Sequence, residues 1–243
     1  MLQEDMTNDQ IALDRAWVFD NTEYINGLYE TYGETLKAIR EEQKGIYSTI
    51  IGQPMFDDLE SEFLTLSILD MVPDIVVEVG SGSCWSSMWI LQGLKHNGVG
   101  RLTSYDIQDM TANIPHHLRD GRFTFKLGDA MLADFPGNIE FLLMDADHNE
   151  PFVNDFMEKA FPLVRSGGKI GIHDVFAHPT PAHGEAIAAY RYMDRIGVQC
   201  YTLSSMFPDT HESILLAREK AGIKRDDLIH DCPVNSLLIL EVP

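Results

Sequence analysis

Apolar and polar positions follow two different rhythms along this chain. From Ile11 to Arg40 apolar and charged residues mix at roughly helical spacing, and Gly45 and the Gly52-Gln53-Pro54 turn punctuate the run. Asp58 to Met71 predicts an amphipathic helix with Leu59, Phe63, Leu66 and Leu69 on one face, and Pro73 stops it. After Pro73 short apolar runs take over. Ile75–Val79 is nearly all apolar, as a strand buried on both faces of a parallel sheet requires. Further strands are predicted at Arg101–Tyr105, Phe123–Leu127, Ile139–Met144 and Lys169–Ile172. Helices are predicted at Ser86–His96, Pro151–Val164 and Gly184–Ile196. Val198–Leu203 and Ser236–Val242 are the last strand candidates. Between them lies an insertion over 207–234, with its own helix near Glu212–Lys220.

Strands alternating with helices predict an α/β fold: a Rossmann-like, doubly wound, mostly parallel sheet of seven strands under an N-terminal helical cap. The expected division is 1–72 for the cap, serving substrate binding or dimerisation, and 73–243 for the Rossmann-like domain. In such sheets ligands bind outside the carboxyl ends of the strands. The residue at each strand tip is therefore the place to look for chemistry.

Composition narrows the partners. The 243 residues carry 18 Lys and Arg against 38 Asp and Glu, a formal net charge of −20. That balance repels phosphate backbones and anionic membrane surfaces, so neither a nucleic acid nor a membrane is expected as partner. Three cysteines, Cys84, Cys200 and Cys232, are too few and too far apart for a disulfide framework or a zinc ribbon. The acidic start Met1-Leu2-Gln3-Glu4-Asp5 lacks the layout of a signal peptide, and the cytoplasm is the expected compartment.

The first strand runs into Glu78-Val79-Gly80-Ser81-Gly82-Ser83-Cys84, and a helix follows. Two glycines between strand and helix make a tight turn and let a ligand approach the backbone at the helix N-terminus. Glu78 would suit a cationic ligand and hinder a pyrophosphate. Trp85 stands where the dinucleotide fingerprint has its third glycine, which also speaks against NAD. Asp106 ends the second strand, 26 residues after Gly80. A carboxylate there can accept from both ribose hydroxyls, or else serve as a turn or N-cap residue. Gly128-Asp129-Ala130 ends the third strand.

These residues resemble the class I S-adenosylmethionine-dependent methyltransferases, whose first motif is acidic-x-Gly-x-Gly-x-Gly. Gly80 and Gly82 match it and Cys84 replaces the third glycine. The resemblance spans about Glu60 to Val175. It implies S-adenosylmethionine as cofactor, held by Glu78, Gly80, Ser81, Gly82, Ser86, Asp106, Ile107, Asp129, Ala130, Asp145 and His148. In the family the acid after the third strand meets the adenine amino group, and Ala130 leaves room for the ring. A Gly-Asp turn without a ligand is the plainer reading.

The fourth strand ends in Asp145-Ala146-Asp147-His148 and the fifth in His173-Asp174. Neighbouring strands would gather three carboxylates and two imidazoles, which is costly unless a cation or a proton relay compensates. With Arg165-Ser166-Gly167-Gly168 between them, these segments resemble small-molecule O-methyltransferases: relatives of the catechol, macrolide-sugar and aminocoumarin-sugar enzymes and of cephalosporin hydroxylase-like proteins. That resemblance implies methyl transfer to a hydroxyl of a small molecule. It makes Asp145, His148 and His173 the catalytic candidates, and Asp145, His173 and Asp174 candidate ligands of a divalent cation, magnesium or manganese. An imidazole ligand suits manganese, iron or zinc better than magnesium. A metal-dependent hydroxylase, an N-methyltransferase and a cofactor-binding protein without turnover are the alternatives. His148 could instead be a helix-start residue touching the cofactor, and His173 a satisfied buried histidine. The loop Val175–Gly184 reads as a substrate lid or a plain surface loop, with His178 and His183 as weaker ligand candidates. Trp17, Phe19, Tyr24, Tyr29 and Tyr32 could line an acceptor pocket or a dimer interface, or pack as ordinary aromatics. A homo-oligomer is expected.

Overall fold

A computed structural model describes residues 22–176, 184–196, 199–230 and 236–243. Among them the elements run α1 (Thr22–Tyr47), α2 (Asp58–Met71), β1 (Ile75–Val79), α3 (Trp85–Asn97), β2 (Arg101–Asp106), α4 (His116–Arg119), β3 (Phe123–Leu127), β4 (Ile139–Met144), α5 (Glu150–Ala160), β5 (Val164–Ile172), α6 (Gly184–Ile196), β6 (Gln199–Thr202), α7 (Pro208–Lys220) and β7 (Leu238–Glu241). The sheet order is β3-β2-β1-β4-β5-β7-β6. β1 to β5 pair parallel, and β7 runs antiparallel to both β5 and β6. The expected seven-stranded, mostly parallel Rossmann-like sheet is what forms.

Alternation along the strands feeds two cores. Val76, Leu102, Phe141, Leu143 and Ile239 face the layer built by α1, α2, α3 and α7. Val77, Val79, Leu142, Met144, Ile170 and Leu240 face α5 and α6. Both faces of the sheet are covered, which is why its central strands read as continuous apolar runs.

Several boundaries, and the burial of α2, differ from expectation. α1 passes through Gly45 to Tyr47, and the helix closes where the Ser48 and Thr49 hydroxyls donate to the Gly45 and Ile46 carbonyls at 2.7 and 2.9 Å. Residues 11–21 of the predicted first helix lie outside the described residues. α2 is not amphipathic in place: residues 58–69 are all buried, because α1 covers one side and α3 the other. It starts with a capping box in which Asp57 accepts from Glu60 N and Glu60 accepts from Asp57 N. β5 begins at Val164 rather than Lys169, and α5 stops at Ala160, before a single 3-10 turn at Phe161–Leu163. The insertion completes the helical layer: Arg218 on α7 grips the buried Glu62 through Nε at 2.9 Å, and Arg40 on α1 meets the same carboxylate. Tyr29 donates to Glu62 at 2.8 Å. Tyr24 and Tyr32 reach Asp70, at the far end of α2 from the strand tips. These three aromatics therefore pack within the helical layer; Trp17 and Phe19 lie outside the described residues.

Candidate functional site

The parallel register brings the strand tips into one row, and backbone hydrogen bonds fasten each to the next. Gly128 N donates to Asp106 O, Gly80 N to Tyr105 O, Asp145 N to Val79 O and His173 N to Met144 O, all within 2.8–3.0 Å. The acids that the sequence placed at the ends of four strands thus stand side by side.

The glycine turn is shaped by contact. Gly80 has φ +82°, and a Cβ there would lie 1.5 Å from the Asp145 carbonyl oxygen. Only glycine lets the first and fourth tips approach this closely. Beyond the turn a cavity of about 680 Å³ opens, a size suited to a small-molecule ligand. Gly80, Gly82, Asp106, Ile107, Asp129, Ala130, Asp145 and His148 line it, together with Met55, Gln108 and Phe152.

Glu78, Ser86 and Ser81, the last within the turn itself, do not line that wall. Glu78 is fully buried and accepts from the hydroxyls of Ser86, Ser87 and Ser104. Burial pushes its carboxyl up, against the downward pull of those three donors. The turn is thus braced from below. Ser81 Oγ is 3.4 Å from Asp106. Asp106 itself accepts from Gly82 N and from Gln108 N, each at 2.8 Å. Asp129 accepts from Met131 N at 2.8 Å, so the turn role forms while the residue still faces the cavity.

On the other side of Asp145 lies a second cluster. Ligand atoms of Asp145, His148 and Asp174 fall within 4.8 Å of one another. The sequence pointed to His173 as the imidazole of this set; the converging ring is His148. His173 stands behind them, 3% exposed, stacked on Phe56 at 4.1 Å between centroids. Its Nδ1 is 3.3 Å from Asp145 and 3.5 Å from Asp174, and its Nε2 is 3.4 Å from Glu60. Burial works against a charged ring, but the Asp145 and Glu60 carboxylates outweigh it and hold His173 well above the ordinary range. For Asp174 burial would raise the carboxyl, yet the hydrogen bond and charge of His173 hold it down at about 2. Ser236 Oγ lies within hydrogen-bond distance of both Asp174 (3.2 Å) and Glu60 (3.1 Å) and can donate its one proton to either. His148 has half its side chain exposed to the cavity, with Nε2 3.7 Å from Asp174 and Nδ1 against Glu185. The Glu185 hydrogen bond, ahead of opposing burial, lifts the ring to about 9.

Sequence reasoning missed Phe56, Glu60, Glu185 and Ser236. Glu60 carried a capping-box signal only, and Glu185 reads as an ordinary acid in a first helical turn. Nothing in their spacing ties them to the strand tips. His178 and His183 lie outside the described residues.

Residues 77–175 match a family model described as a methyltransferase domain. A Mycobacterium tuberculosis protein named "Probable O-methyltransferase Rv1220c" is 32% identical over 111 residues, covering 40% of this chain and 46% of that protein. The chain thus spans about half the length of the curated relatives it matches. Among solved structures, an O-methyltransferase from Bacillus cereus in complex with SAH superposes with a TM-score of 0.55 at 15% identity, covering 86% of this chain and 91% of that one. TomG from Streptomyces achromogenes, an O-methyltransferase in complex with SAM, gives a TM-score of 0.53 at 13% identity over 86% and 88%. At such identities the likeness is one of fold.

Proposed function

We propose that this chain is a class I methyltransferase, a reading supported by its sheet topology and by the match over residues 77–175, and that it transfers a methyl group from S-adenosylmethionine to a hydroxyl of a small molecule. One observation carries the reading: a single cavity is lined by the glycine turn and by carboxylates from the second, third and fourth strand tips, Asp106, Asp129 and Asp145. These residues fit the cofactor. Asp106 would accept from its ribose hydroxyls, Asp129 would meet the adenine beside Ala130, and Asp145 would face its cationic end. When bound, S-adenosylmethionine supplies an electrophilic methyl on a positive sulfur.

Methyl transfer is an in-line displacement, so the protein's tasks are alignment and removal of the acceptor's proton. His148 is the base in this reading: it lines the cavity, its Nδ1 is engaged by Glu185, and Nε2 is the nitrogen left for the acceptor. His173 stays protonated behind the site and balances Asp145 and Asp174.

A divalent cation is the second reading, favoured by the convergence of Asp145, His148 and Asp174. Its two carboxylates and one imidazole suit manganese or iron better than magnesium. A cation there would lower the acceptor hydroxyl's pKa. Thermal shift with S-adenosylmethionine but not NAD, followed by methyl transfer to a library of phenols and sugars with and without a chelator, tests both readings. No response to the cofactor would end the proposal, and activity that survives chelation would end its metal variant. With the same reading go a cytoplasmic location, no nucleic-acid or membrane partner and a homo-oligomeric state. Among the described residues no helix is long and apolar enough to cross a membrane.

A further inference from the structure

The base candidate is held by a residue outside the strand tips. Gly184, the first residue of α6, donates its N–H to the His148 carbonyl at 3.2 Å. A Cβ on Gly184 would come within 2.5 Å of Glu150 N and 2.7 Å of the His148 oxygen. The start of α6 is therefore pressed onto the loop after β4, with no room for a side chain between them. The next residue, Glu185, is 2% exposed, and its carboxylate meets His148 Nδ1.

Helix starts favour acidic residues through the helix dipole. That preference explains an exposed Glu in a first turn. It does not explain a carboxylate taken out of water and set against an imidazole, which is costly unless the contact compensates. Glu185 does not line the cavity; it reaches the site through His148. Among the described residues its carboxylate contacts His148.

We infer that Glu185 is a positioning residue for methyl transfer: its carboxylate accepts the Nδ1 proton of His148 and turns Nε2 toward the acceptor side of the cavity. The inference rests on the methyltransferase reading for its consequence, though not for its geometry. An imidazole on a loop residue can rotate about two side-chain bonds and carry its proton on either nitrogen. A buried acceptor on Nδ1 selects one orientation and one tautomer, leaving the lone pair of neutral Nε2 free for the substrate proton.

The test uses the full chain with Glu185→Ala, Glu185→Gln and Glu185→Asp. Alanine removes the acceptor, while glutamine keeps an oxygen that Nδ1–H can reach. The expected result is a kcat at least tenfold lower for Glu185→Ala on the plateau above about pH 9, where His148 is neutral in both proteins, in the range seen for partners that orient an imidazole. KM for S-adenosylmethionine should stay within about twofold, because Glu185 is off the cofactor wall; Glu185→Gln should recover most of kcat. Nitrogen NMR of the neutral His148 ring should show the proton on Nδ1 in the wild type and a tautomer mixture in Glu185→Ala. A wild-type proton on Nε2, an unchanged kcat in Glu185→Ala, or a glutamine variant as impaired as alanine would each overturn the inference. Should glutamine or alanine fail to fold, Glu185→Asp, which shortens the reach, must show the same tautomer loss. If the wild type transfers no methyl group to any acceptor, the proposed function fails, whereas the NMR tautomer still decides the role of Glu185.

Discussion

The Gly82 backbone N–H donates to the Asp106 carboxylate at 2.8 Å, joining the turn after β1 to the tip of β2. The acid that would hold a ribose is itself held by the loop that would pass beneath the cofactor. Asp106→Ala should therefore weaken S-adenosylmethionine binding at least tenfold, about 1.4 kcal/mol, as it removes both the ribose acceptor and the loop's anchor. Calorimetry that gave unchanged affinity would refute the assignment.

Gly80 is the position least able to carry a side chain. With φ at +82° and the Asp145 carbonyl 1.5 Å from a built Cβ, Gly80→Ala must push the first and fourth strand tips apart. Strain of this kind costs about 1–3 kcal/mol from the backbone alone, and the clash adds to it. We expect a lowered melting temperature and no thermal shift with S-adenosylmethionine. A wild-type shift in that variant would show that the tips tolerate separation.

The charge state of His148 sets an alkaline limb. Its ring is held up to about 9, chiefly by the Glu185 hydrogen bond, and a base must be neutral to accept a proton. Activity should rise with pH toward about 9, and His148→Gln should lose both the activity and the limb. For stability the sign runs the other way. A raised folded pKa stabilises fully below the unfolded value of about 6.5 and is lost as pH rises through 9. The ring is half exposed, so solvent screens the effect and the expected fall in melting temperature is small.

Asp174 gives the opposite dependence. Its carboxyl is lowered to about 2, so its contribution is present above the unfolded value of about 3.9 and is lost as pH falls through 2. Asp174→Asn should flatten the acid end of the stability curve, measured by urea unfolding between pH 2 and pH 5. An unchanged acid slope would mean that the His173 contact contributes nothing to stability.

Removing the insertion's anchor should be costly. Arg218 and Glu62 are each at most 1% exposed and joined through two nitrogens of the guanidinium. Arg218→Met leaves Glu62 buried with Arg40 as its remaining cation and should destabilise by about 3 kcal/mol. Chemical denaturation reads this directly, and a loss below about 1 kcal/mol would show that Arg40 alone suffices.

Much of the scaffold is legible in the sequence alone. Phe123–Leu127, Ile139–Met144 and Gly184–Ile196 were read to the residue, since short apolar runs and helical spacing with clear breakers are local signals. The acids at the strand tips were legible for the same reason, because a strand's end is marked in its own sequence. The surroundings of α2 were not. Its apolar stripe predicted one buried face, but Ser61, Glu62, Thr65 and Ser67 are buried too, since burial depends on what packs from both sides.

By itself the sequence determined the order of strands and helices, the place of the glycine turn and the acids that end each strand, all of which are encoded within a few consecutive residues. Tertiary structure alone decided which way those acids point. It turned Glu78 inward onto three serines drawn from α3 and β2. It put Glu60 against His173 across 113 positions, and Glu185 against His148 across 37. Side-chain partnerships between distant segments follow from how the layers dock, and no local periodicity records that.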